Sequence, residues 1–134
     1  MDLPKTRKEI KDLNLERFTF EMEMLRDLSR KKMLSGSVVK KYKACGKGDC
    51  KCTRGELHGP FYYLTYKEEG KTKMIFLRKI QWEEAIKLND NYRRWRKSRA
   101  EVSKIGKKIL KLLDKIEKAN TVSIGEVKGD GRKR

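Results

Sequence analysis

The chain's three cysteines and its one histidine fall between positions 45 and 58, spaced C-x4-C-x-C-x5-H. Cys45, Cys50, Cys52 and His58 are a complete tetrahedral donor set for one Zn²⁺. With all four positions filled by protein, such an ion is structural and has no open site for catalysis. Zinc needs thiolates and a neutral imidazole held close together. Cys50 and Cys52 are two residues apart, so an extended segment points them to one side. Gly46-Lys47-Gly48-Asp49 allows the reversal that returns Cys45 to them. Lys47, Lys51 and Arg54 would offset the thiolate charge. Two alternatives stay open: an iron–sulfur or redox-thiol site, or thiols that act only as small hydrophobes. An odd cysteine count argues against a secreted disulfide framework and fits a reducing, cytoplasmic setting.

Helices and a hairpin must position this window. Residues 6 to about 34 read as a helix opened by Thr6 and Glu9 in a T-x-x-E capping pattern. Leu15, Phe18, Met22, Leu25 and Leu28 form its apolar stripe. Val38, Val39 and Tyr42 mark a short strand. Phe61–Tyr66 and Met74–Leu77 read as a β-hairpin across the polar turn 67–72. From Gln81 to Ala119 the pattern is helical again, with a heptad at Val102, Ile105, Ile109, Leu112 and Ile116. Gly106 is its weak point. The expected class is α+β: an N-terminal helix (1–35), a zinc knuckle with hairpin (36–80), a long basic and heptad helix (81–120) and a flexible basic tail (121–134), in one compact domain. The heptad stripe is expected to pack on the first helix as a helical hairpin. A short coiled coil joining a homodimer through Val102–Ile116 is the alternative.

Charge narrows the partners. Lys and Arg number 36 against 19 Asp and Glu, for a net charge of +17. Such a field attracts polyphosphates. No apolar run approaches the ~20 residues of a membrane span, and the first residues lack a signal-peptide stretch. No membrane partner is expected. Arg93, Arg94, Arg96, Lys97 and Arg99 surround Trp95, and Lys67, Lys71, Lys73, Arg78 and Lys79 lie at the hairpin turn and its exit. These are the candidate nucleic-acid contacts, since guanidinium groups fork onto phosphate and keep their charge. The bland reading of the same residues is a solvated helix face. The hairpin aromatics Phe61, Tyr62, Tyr63, Tyr66 and Phe76 alternate between faces: one face must pack on a helix, and the other could stack bases.

The segments Gly36–Tyr42, Cys-Gly-Lys-x-x-Cys-x-Cys at 45–52 and Gly55-Glu-Leu-His-Gly-Pro-Phe-Tyr-Tyr-Leu64 resemble an uncharacterised family of short bacterial and archaeal proteins. That family shares a C-G-K-x-x-C-x-C…H-G-P-Y-Y-Y core, a following hairpin and a helix. The resemblance spans roughly residues 36–97, with Phe61 where the family has Tyr. It is a domain of unknown function often found near mobile elements. The resemblance implies Cys45, Cys50, Cys52 and His58 as the defining set and supplies no activity.

The sequence therefore leads to a non-enzymatic, zinc-stabilised nucleic-acid-binding protein that holds mainly the phosphate backbone, with DNA slightly favoured. A small ribosome- or RNA-associated protein is one alternative, and a coiled-coil interaction protein without nucleic acid is another. No acidic metal cluster or nucleophile–base pair points to catalysis.

Overall fold

The computed structural model describes residues 2–132. Helix α1 (Leu3–Glu23) starts at Asp2, whose carboxylate accepts from the Lys5 N–H at 3.2 Å. Pro4 in the first turn suits this start, because its missing N–H would have no helical partner. The cap is therefore Asp2 and not the expected Thr6, whose hydroxyl instead donates to the Asp2 carbonyl. A π-helical turn (Met24–Leu28) ends the helix at Leu28, six residues before the expected stop. Tertiary partners take over the next backbone groups. The Leu34 N–H donates to the Leu88 carbonyl at 3.0 Å, and Asn91 donates to the Lys32 carbonyl at 3.1 Å.

Strands β1 (Ser37–Lys43), β2 (His58–Glu68) and β3 (Lys71–Leu77) form an antiparallel sheet in the order β1-β2-β3. Val39, Tyr63 and Phe76 stand abreast on one face, and Val38, Leu64 and Ile75 on the other. Gly36 (φ +93°) enters the sheet so closely that a Cβ there would lie 2.3 Å from the Thr65 carbonyl oxygen.

Helix α2 (Trp82–Asn120) matches the expected long helix. Glu83 and Glu84 in its first turn complement the helix dipole. Its buried and half-buried positions include Ala85, Asn89, Tyr92, Trp95, Ser98, Val102, Ile105, Ile109, Leu112 and Ile116, so the stripe extends N-terminally from the heptad. Helix α3 (Ile124–Arg132) occupies the stretch read as a flexible tail, with the Glu126 N–H donating to the Ser123 hydroxyl at 3.1 Å. Lys133 and Arg134 of that stretch lie outside the described residues.

The chain gathers into two compact units. One holds residues up to Leu25 together with those from Ser98 onward; the other is Arg26–Lys97. In the helical unit Ile105 and Ile109 are buried. The inward side of α1 there carries Leu3, Ile10, Leu13, Arg17 and Phe20, all half-buried. The expected stripe is only partly inward: Leu28 is buried and Met22 half-buried, but Leu15, Phe18 and Leu25 are 59%, 57% and 62% exposed. Arg17 takes the inward position beside Gly106 and is fixed by Glu21 (3.3 Å) and Asn14 (3.0 Å). A Cβ at Gly106 would meet the Arg17 Nη1 only at ordinary contact distance, 3.8 Å.

In the sheet unit the core holds Leu28, Leu77, Ala85 and Asn89. The Asn89 side chain donates to the carbonyls of Leu34 (3.0 Å) and Gly36 (2.8 Å) and accepts from the Val38 N–H (3.1 Å). It ties the connection before β1 to α2. Trp82 donates to the Leu77 carbonyl at 2.9 Å and packs on Tyr62 with ring centroids 4.7 Å apart. The architecture is α+β: an N-terminal helix, a three-stranded antiparallel sheet bearing the cysteine cluster, and a long C-terminal helix. Among the described residues no helix is long and apolar enough to cross a membrane.

Candidate metal centre

The cluster grows from the paired ends of β1 and β2. Lys43 stands opposite His58 in the ladder, so Cys45 leaves β1 two residues beyond the point where His58 enters β2. Between the Lys41–Phe61 and Lys43–His58 pairs, β2 carries one extra residue, a β-bulge at Gly59-Pro60. Only glycine fits at position 59. Its φ is +137°, and a Cβ would lie 2.9 Å from both the Lys41 carbonyl oxygen and Tyr42 Cδ1.

The loop between the strands supplies the other two donors. The Cys50 N–H donates to the Lys47 carbonyl, and Thr53 bonds the Cys50 carbonyl through both its N–H (3.1 Å) and its hydroxyl (2.7 Å). A 3-10 turn (Lys51–Arg54) follows. It sets Cys52 inward, 5% exposed, with Cys50 half-buried and Cys45 and His58 at the surface.

The four donor atoms lie within 4.8 Å of one another. Cys45 Sγ is 3.5 Å from Cys52 Sγ, and Cys50 Sγ is 3.0 Å from His58 Nε2. The Cys45 N–H also points at Cys52 Sγ, at 3.4 Å. Such an arrangement could hold a metal ion. Local fields prepare the thiols unequally. The Cys52 N–H, then the Cys45 thiol, bring the Cys50 thiol down to about 6. At Cys45 the Lys47 N–H favours the thiolate, but desolvation and the Cys52 and Cys50 thiols outweigh it and hold that thiol above its ordinary value. The Cys50 sulfur is thus the one whose thiolate is favoured, the form that engages a cation.

A family described as a domain of unknown function (DUF6788) matches residues 7–87, more than half of the chain. The chain belongs to that family. The DUF6788 segment takes in most of α1, the whole sheet, the cysteine–histidine cluster and the first turns of α2, and it stops before Arg93. No curated protein and no solved structure matches the chain.

The expected cationic contacts fall in two places on this DUF6788 protein. Arg93, Arg94, Arg96, Lys97 and Arg99 are all exposed on α2 around the half-buried Trp95. Lys67, Lys71, Lys73, Arg78 and Lys79 are exposed around the hairpin turn and the exit of β3. Acids partly offset the turn: Lys73 pairs with Glu68 at 3.3 Å, and Lys71 stands opposite Glu68 in the ladder. Lys41 and Lys43 are not among the cationic contacts that charge clustering picks out. Their alternation with Ser37 and Val39 in S-V-V-K-K-Y-K is the signal that would have placed them on one sheet face.

Proposed function

We propose that this protein is a zinc-stabilised, basic nucleic-acid-binding protein that acts by binding and not by catalysis. The supporting observation is the convergence of three thiol sulfurs and one imidazole nitrogen within 4.8 Å in a chain of net charge +17. Tetrahedral zinc with these donors has edges of about 3.5–3.8 Å. The 3.0 and 3.5 Å contacts need only a small expansion to reach them. Sulfur-rich tetrahedral sets favour zinc over hard cations. The ion would be structural, fixing the loop 45–57 against the ends of β1 and β2. The only histidine lies in this set, which leaves none for acid–base chemistry.

In this reading the exposed arginines of α2 and the hairpin lysines hold phosphates. Affinity is then largely electrostatic, with DNA slightly preferred. The reducing cytoplasm would keep the thiols available to the metal.

The test is purification without added nucleic acid, followed by metal analysis and binding to a duplex across a salt series. One zinc per chain and a steep salt slope are expected. Replacing Arg93, Arg94 and Arg96 by Glu should flatten that slope by up to about 2.7, from about 0.9 per phosphate contact. Zinc-free protein, or a triple variant with an unchanged slope, would sink the respective half of the proposal.

A further inference from the structure

One face of the sheet meets the core at Tyr62 and Leu77, which stand abreast: Tyr62 packs on Trp82 and Leu77 is buried, while Ile75 farther along that face is 48% exposed. On the opposite face Phe61, Tyr63, Met74 and Phe76 form a continuous patch. Phe76 is its centre, 5.5 Å from Tyr63 and 6.3 Å from Phe61 between ring centroids. Phe76 and Met74 remain 51% and 49% exposed. An aromatic cluster of this kind on a sheet usually lies under a helix.

Cations fringe these rings. Lys43 Nζ lies 4.6 Å and Lys41 Nζ 5.7 Å from the Tyr63 centroid, and Lys41 Nζ also reaches Met74 Sδ at 3.9 Å. Lys67 stands on the same face, opposite Thr72. No carboxylate belongs to it: Glu68, the acid within β2, lies on the other face and is engaged by Lys73.

We infer that this open face binds single-stranded DNA, with bases stacking on Phe76 and Phe61 and the Lys41 and Lys43 ammonium groups taking the adjacent phosphates. The inference deepens the nucleic-acid reading above and rests on it. Aromatic side chains beside a positive track are how proteins hold single strands without reading their sequence. A duplex keeps its bases stacked on one another and has no ring face to give. A protein partner is the poorer match, because the cores of protein interfaces are depleted in lysine. The choice of DNA over RNA is taken from the reading above.

The experiment uses the full chain, metal-loaded, with a labelled 15-mer of thymidylate, a duplex of equal length and a 15-mer of uridylate. Phe76→Leu should weaken thymidylate binding by about tenfold, the loss of one base stack, and leave duplex binding unchanged. Phe76→Tyr keeps a ring at that position and should bind like the wild type, which separates stacking from folding. An oligonucleotide carrying 5-iododeoxyuridine should photocross-link to Phe61, Tyr63 or Phe76. Unchanged thymidylate binding by Phe76→Leu overturns the inference, as does cross-linking confined to α2. Uridylate binding more than tenfold tighter than thymidylate overturns the choice of DNA. If the arginine variant loses duplex binding while Phe76→Leu behaves like wild type, only this inference fails. If the wild type binds no nucleic acid at all, the parent reading fails with it.

Discussion

Asn89 donates to the Gly36 carbonyl at 2.8 Å across 53 residues of sequence. The same side chain serves Leu34 and Val38, and at 2% exposure it is among the most buried groups of the protein. Leucine at this position would strand two carbonyls and one N–H. Asn89→Leu should therefore lower unfolding stability by about 3 kcal/mol, since each buried unpaired group costs about 1–3 kcal/mol. Denaturant titration at saturating zinc measures it. A loss below about 1 kcal/mol would mean that the connection before β1 finds other partners.

Withdrawing the metal should act more strongly than any single core truncation. Structural zinc contributes on the order of 10 kcal/mol in small domains. Cys50→Ser should abolish stoichiometric zinc and lower the melting temperature, and a chelator should reproduce both effects in the native chain. Cys45→Ser should do the same, because Cys45 is one of the four donors of the cluster. Zinc content that survives either change would remove those sulfurs from the ligand set.

Gly59 links the bulge to the metal. An alanine there meets the Lys41 carbonyl and the Tyr42 ring at 2.9 Å in a backbone region hostile to side chains. Gly59→Ala should cost about 1–3 kcal/mol of strain or move β2 at its first residues. Either outcome displaces His58. Zinc release to a competing chelator should accelerate, and an unchanged release rate would show that His58 is not held by this bulge.

The two sides of α1 and α2 give a paired comparison. Ile109→Ala in the buried stripe should cost about 2–4 kcal/mol. Leu15→Ala on the exposed side of α1 should stay within about 0.5 kcal/mol. Parallel denaturation of the two variants checks the assignment. A large loss at Leu15 would restore the stripe that the sequence suggested.

That stripe shows where reading by pattern fails. α1 carries apolar residues on both sides: Leu3, Ile10, Leu13 and Phe20 on one, Leu15 and Phe18 on the other. Periodicity alone cannot rank them. The inward choice brings Arg17 with it, and its place beside Gly106 is a property of the pair of helices. The heptad of α2 is legible because Val102 to Ile116 repeats without competition, whereas the start of the stripe is hidden by Asn89, a polar residue at a buried position. The donor cluster was the clearest part, since cysteine and histidine are rare here and fall together. The hairpin was equally plain, but strand alternation yields two faces and no order between them. Trp82, five residues beyond Leu77, decides which one is covered. Nothing local stops the first helix before residue 34; its end depends on distant carbonyl and amide partners around Leu88 and Asn89.

The strand order leaves β1 and β3 each with an unpaired flank. Both are lysine-bearing, through Lys40, Lys41 and Lys43 on one and Lys71 and Lys73 on the other. Two copies brought flank to flank would have to press these ammonium groups together. The molecule is thereby guarded against strand-by-strand aggregation. High concentration on a polyanion, where neighbours crowd and their charge is neutralised, is the circumstance in which that guard would weaken.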